Sequence, residues 1–194
     1  MSDTIDFQEI KKKLKKALDK SRYIHTKGVM YTAGCLAMAH EYPLEKAMLA
    51  GLLHDCAKCL STSEKIELCE KHDTIISAVE FENPSLLHAK AGAILAEEKY
   101  KITDPQILHS IMVHTTGAPN MNLLDKIVFV ADYIEPGRNM APRLEYIRKI
   151  AFIDINLAVA EILYDTIHFL NSKKGVIDPT TQITYNFYEK YRKE

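Results

Sequence analysis

Apolar positions recur at three- and four-residue steps along almost the whole chain, as in Phe7, Ile10, Leu14 and Leu18, or Ile107, Ile111 and Met112. That period puts one face of an α-helix against a core and the other in water. Helix-start signals punctuate the pattern. Ser61-x-x-Glu64 has the form of a capping box, and Asn83-Pro84, Asp104-Pro105 and Asp178-Pro179 each offer a capping side chain followed by proline at the first helical position. The pattern predicts helices over about 4–20, 23–41, 44–57, 63–72, 84–99, 105–115, 121–135, 143–150, 152–172 and 180–192. No Asn-Gly or Asp-Gly hairpin signal occurs, and only 7 residues are glycine where average usage gives ~14. The expected fold is therefore all-α, a single-domain helical bundle over residues 1–194 with a core of about 22–150 and C-terminal helices packed on it.

Composition changes this picture little: 47% hydrophobic and 26% charged residues are those of an ordinary globular chain. Charge is more informative. With 25 Lys and Arg against 26 Asp and Glu there is no global basic field for nucleic acid, so any anionic partner must be gripped locally. The run Lys11-Lys12-Lys13 with Lys15 and Lys16 lies opposite an apolar stripe and reads as a solvated helix face. The longest uncharged apolar stretch, Ala47 to Leu53, falls far short of the ~20 residues of a membrane helix, and the N-terminus has no signal-peptide core. The expectation is a cytoplasmic protein without membrane or nucleic-acid partners. Cys56-x-x-Cys59 lacks a second pair at zinc spacing, so the four cysteines read as free thiols of a reducing compartment.

His54-Asp55 closes that apolar stretch, where burial is expected. Chance alone supplies roughly half a His-Asp pair in such a composition. A second pair, His72-Asp73, follows Glu70-Lys71 at a helix end, where an exposed last-turn histidine explains it. Lys58 separates the two, standing four residues after His54 and three after Asp55, so that on a continuing helix all three share one side. Asp132 sits in the apolar helix Ile127-Val128-Phe129-Val130-Ala131, where an ionised carboxylate costs several kcal/mol unless a cation or hydrogen bonds compensate. A helix cap or an arginine partner would serve; a metal fits once further ligands exist. His25, His88 and His114 are the available imidazoles. His40, His72, His109 and His168 read as structural, His109 because five residues from His114 is ~140° around a helix.

The order His, His-Asp, Asp on separate helices resembles the HD-domain metal-dependent phosphohydrolases. Four longer stretches narrow the likeness: Arg22-Tyr23-Ile24-His25, Leu49 to Lys58 (LAGLLHDCAK), His114-Thr115-Thr116-Gly117, and Val130 to Arg138 (VADYIEPGR). They are similar to the YqeK family of symmetrical bis(5'-nucleosyl)-tetraphosphatases, which cut diadenosine tetraphosphate into two ADP. The likeness runs from Arg22 to the segment Gly175-Val176-Ile177-Asp178-Pro179-Thr180. It implies an HD-type bundle in which His25, His54, Asp55 and Asp132 hold a divalent metal, iron first, with manganese or zinc as alternatives. By the same likeness His88 and His114 ligate a second metal or contact phosphates, giving one or two ions per chain. Arg22, His25, Lys58 and Arg138 meet the substrate, Asp55 and Lys58 act in catalysis, and Gly175 to Thr180 flank the nucleoside. The stretch Asn139 to Leu144 fits the family pattern loosely and leaves Arg143 without an assigned role; Cys56 and Cys59 are no family requirement.

Such ligands suit the chemistry. A phosphoanhydride hydrolyses slowly because negative oxygens screen phosphorus from a weakly nucleophilic water, and a divalent metal both neutralises them and acidifies bound water toward pH ~7. The partner is then a dinucleoside polyphosphate. Other readings are an HD phosphohydrolase for a nucleoside mono- or triphosphate and a non-catalytic nucleotide-binding regulator, since metal ligands do not select the nucleoside. A homodimer is a usual state for a small helical enzyme, and nothing in the sequence marks its interface.

Overall fold

A computed structural model describes residues 6–173 and 175–192; Thr4 and Ile5 of the expected first helix lie outside them. Its helices are α1 Phe7–Ala17, α2 Lys20–Ala39, α3 Leu44–Leu53, α4 Thr62–Lys71, α5 Ala78–Glu82, α6 His88–Tyr100, α7 Pro105–Val113, α8 Leu123–Ile134, α9 Leu144–Ala151, α10 Ile155–Ser172 and α11 Pro179–Tyr188. Two 3₁₀ turns, Pro84–Leu87 and Glu189–Tyr191, complete the regular structure, and no strand occurs among the described residues. The all-α expectation holds.

Local signals account for most of the starts. Ser61 and Glu64 close a capping box on α4, Asp104 caps α7 ahead of Pro105, and Asp178 caps α11 ahead of Pro179. Three expectations need correction. The helix expected over 44–57 stops at Leu53, because the His54 imidazole takes the Gly51 carbonyl and the next amides, Cys56 to Leu53 and Lys58 to Asp55, bond three residues back instead of four. His54, Asp55 and Lys58 therefore come together through tight turns and not on one helix. The helix expected from Pro84 begins at His88: Asn83 makes no capping bond and Pro84 opens the 3₁₀ turn. Ahead of it α5, set by a second capping box of Ser77 and Glu80, was not expected at all.

The bundle forms where α2 packs on α3 and α8, α7 on α3, α6 and α8, and α10 on α8, α9 and α11. Gly51 lets α3 press against α2, since a Cβ there would stand 3.1 Å from both Met30 Cα and Val29 O. One buried apolar cluster runs from Ile10 on α1 to Tyr188 on α11. Leu52 is fully buried in it, so Leu52→Ala is expected to lower unfolding free energy by about 2–5 kcal/mol, read from the urea midpoint at unchanged slope. Among the described residues no helix is long and apolar enough to cross a membrane. All four cysteines are free, Cys56 and Cys69 buried, Cys35 and Cys59 exposed.

Candidate metal centre

Five elements aim imidazoles and carboxylates at one place. His25 comes from α2, His54 and Asp55 from the turn after α3, His88 from the first residue of α6, His114 from the residue after α7, and Asp132 from α8. His54, Asp55, His88 and His114 are almost completely buried, with Asp55 2% exposed. Asp55 stands between two groups. Its Oδ2 faces His54 Nε2 at 3.4 Å and His25 Nε2 at 3.7 Å, and its Oδ1 faces His88 Nε2 at 3.2 Å and His114 Nε2 at 3.7 Å. Asp132 Oδ1 lies 3.0 Å from His25 Nε2 and 3.9 Å from His54 Nε2.

Each imidazole uses its outer nitrogen away from the centre. His54 Nδ1 meets the Gly51 carbonyl, His88 Nδ1 that of Ser85 and His114 Nδ1 that of Ile111, while His25 Nδ1 meets Glu135 Oε1 at 3.0 Å. A proton on Nδ1 serves each of these bonds, and in a neutral ring the Nε2 lone pair then faces carboxylate oxygens or another Nε2. His25 Nε2, His54 Nε2 and Asp55 Oδ1 are buried without a hydrogen-bond partner. Opposed acceptors of this kind need a cation between them, and mixed imidazole and carboxylate donors suit a divalent metal. The residues present fit the ion that the sequence implies: His25, His54 and Asp55 offer ligand atoms within 4.8 Å of one another, as do His54, His114 and Asp132, and Asp55, His88 and His114.

The imidazoles and cations around the centre keep its carboxyls ionised. Burial opposes ionisation of Asp55, yet His54, His114 and His88 outweigh it and hold the carboxyl well below its ordinary value. Asp132 is likewise depressed, against its burial, by His25, His54 and Arg138. Burial pushes the His88 imidazole down to about 4, which leaves it neutral at physiological pH.

Three cations ring the centre. Arg22 Nη1 lies 2.7 Å from Asp55 Oδ2, Arg138 Nη2 2.7 Å from Asp132 Oδ1, and Lys58 Nζ 3.0 Å from His88 Nε2 and 3.9 Å from Asp55 Oδ1. Arg143 is elsewhere, held by Asp165 at 3.0 Å and by Glu161, and serves structure. The four histidines read as structural are so placed: His40 on the Ala151 carbonyl, His72 on Glu98, His109 on Asp125 and His168 on the Tyr164 carbonyl. Thr115 Oγ1 stands 3.2 Å from both His88 and His114 and also lines a cavity of about 320 Å³. Leu86, Ala89 and Val113 give that cavity apolar walls, and Asp178, Pro179 and Thr180 close it from the C-terminal side; Gly175, Val176 and Ile177 lead to it without lining it. Glu135 escaped the sequence reading because it precedes Pro136-Gly137 and looks like a helix end. It is the residue that follows α8, with non-helical backbone, so no helix-face spacing ties it to Asp132.

The HD domain family matches residues 22–137. The chain is similar to "Bis(5'-nucleosyl)-tetraphosphatase, symmetrical" of Bacillus subtilis, at 38% identity over 90% of this chain and 92% of that one. It is 42% identical to the protein of the same description from Halalkalibacterium halodurans, over 89% of this chain and 91% of that one. A crystal structure from Clostridium acetobutylicum, described as a predicted HD superfamily hydrolase involved in NAD metabolism, superposes with a TM-score of 0.92 at 39% identity, covering 96% of this chain and 98% of that one.

Proposed function

The chain belongs to the HD-domain family of symmetrical bis(5'-nucleosyl)-tetraphosphatases, and from that premise we propose that it hydrolyses diadenosine tetraphosphate to two ADP. The observation that carries the reading is Asp55, set between His25 and His54 on one side and His88 and His114 on the other, close to a cavity lined by Thr115 and by Asp178 to Thr180. We assign a divalent metal to His25, His54, Asp55 and Asp132, iron first and manganese or zinc next, as the donor set allows. Bound there, it supplies Lewis acidity that activates water and neutralises phosphate oxygens.

The chain's own groups do the rest. Arg22, Lys58 and Arg138 receive the polyphosphate, replacing contacts with Asp55, His88 and Asp132 by contacts with phosphate oxygens, and they take up charge as water attacks a β-phosphorus and ADP leaves. His88 and His114, with Thr115, steady the phosphates. We prefer this to a second ion because the Lys58 ammonium already stands 3.0 Å from His88 Nε2, where another cation would repel it. The nucleoside sits against Asp178 to Thr180, with Gly175 to Ile177 flanking. Residues 1–194 are taken as one domain, since a single apolar cluster reaches from Ile10 to Tyr188. Free thiols suit the cytoplasm, and a homodimer is the assembly proposed.

Chromatography of the products tests the reading. Diadenosine tetraphosphate is expected to yield ADP alone; AMP with ATP, or release of inorganic phosphate from mononucleotides in its place, would overturn symmetrical cleavage.

A further inference from the structure

We infer that Glu135 is a positioning residue of the metal centre, held by a cradle that Gly28 and Gly137 build for it, an inference that rests on the metal reading above. His54, His88 and His114 spend their outer N–H groups on backbone carbonyls, which are neutral. His25 alone donates to a carboxylate, Glu135 Oε1, at 3.0 Å. A carboxylate in that position fixes the ring and makes the inner nitrogen a stronger donor to a metal.

The surroundings show that the protein shapes itself around this side chain. Glu135 is 4% exposed. Its second oxygen accepts the Gly137 N–H at 2.6 Å. Across the interface between helices, Gly28 of α2 lies one turn beyond His25, and a Cβ built on it would overlap Glu135 Oε2. A Cβ on Gly137 would likewise come within 2.9 Å of Glu135 Oε1. Glu135 thus joins two parts of the centre. Through His25 it orients a ring that would hold the metal, and through Gly137 it pins the turn from which Arg138 reaches back to Asp132.

Gly28 gives a test that separates positioning from stability. Alanine is the better helix former, so within α2 a Gly28→Ala change by itself favours folding. If Glu135 positions His25, the same change displaces the carboxylate and weakens metal binding. The measurement is calorimetric titration of the metal-stripped full-length protein with Mn²⁺, alongside thermal unfolding without metal. Wild type is expected to bind, and Glu135→Ala and Gly28→Ala to bind about 10–100-fold more weakly. Glu135→Gln keeps an acceptor oxygen but loses the charge, and is expected to fall between. Gly28→Ala should remain folded in the metal-free state, where its gain in helix propensity offsets displacement of the Glu135 carboxylate, while its metal affinity falls. Wild-type affinity in folded Glu135→Ala and Gly28→Ala would overturn the inference while leaving the metal site standing. Absence of Mn²⁺ binding by wild type would overturn the metal reading itself, and this inference with it.

Discussion

Asp55→Ala is expected to reduce turnover of diadenosine tetraphosphate by more than about 100-fold, beyond the loss that altering an outer partner of a ligand brings, with the helical fold retained. The carboxylate faces both sets of imidazoles, with one oxygen toward His25 and His54 and the other toward His88 and His114. Without it, His88 and His114 lose the carboxylate they face, His25 and His54 keep only Asp132, and Arg22 is freed from its 2.7 Å partner. The Arg22 side chain left without its partner is 29% exposed and can turn to water, which is why the effect falls on activity more than on folding. Steady-state kinetics with excess Mn²⁺, circular dichroism and metal content together decide the matter: activity near wild type with no bound metal would remove Asp55 from the mechanism.

Metal removal should show equally clearly in stability. Exhaustive chelation is expected to abolish hydrolysis, and returning the ion to restore it. An ion at about 100 times its dissociation constant adds about 2.7 kcal/mol to the folded state if the unfolded chain does not bind it. In a chain of this size each kcal/mol moves the melting temperature by about 2–4 °C, so a rise of about 5–11 °C is expected on addition of metal. Differential scanning fluorimetry across a metal titration reads it. An unchanged midpoint in a protein that regains activity would mean that the ion contributes nothing to the folded state, against the bare nitrogens seen at the centre.

Where a helix begins was written in residues close together. The Ser61, Asp104 and Asp178 caps behave as their sequences suggest, because a cap is a contact across two or three residues. Asn83-Pro84 carried the same signal and misled, since the chain there makes a 3₁₀ turn into His88 and the imidazole, not Asn83, engages the turn through the Ser85 carbonyl. The end of α3 was hidden for a similar reason: Lys58 was expected on a continuing helix and reaches Asp55 from a tight turn. At the centre, Asp132 was readable as a charge where only apolar residues belong, and His54-Asp55 as a polar pair after an apolar run. Glu135 was not, because its meaning depends on Gly28, more than a hundred residues earlier, and no local pattern records a contact at that separation.

The distance in sequence between His25 and Asp132 bears on how the protein is made. A ribosome releases the α2 and α3 ligands long before α8, and Asp132 reaches the centre together with the apolar residues Ile127, Val128, Val130 and Ala131 of the helix that packs on α2, α3 and α7. The full set of ligands thus exists only when the bundle has closed, whereas His25, His54 and Asp55 come from its first half alone.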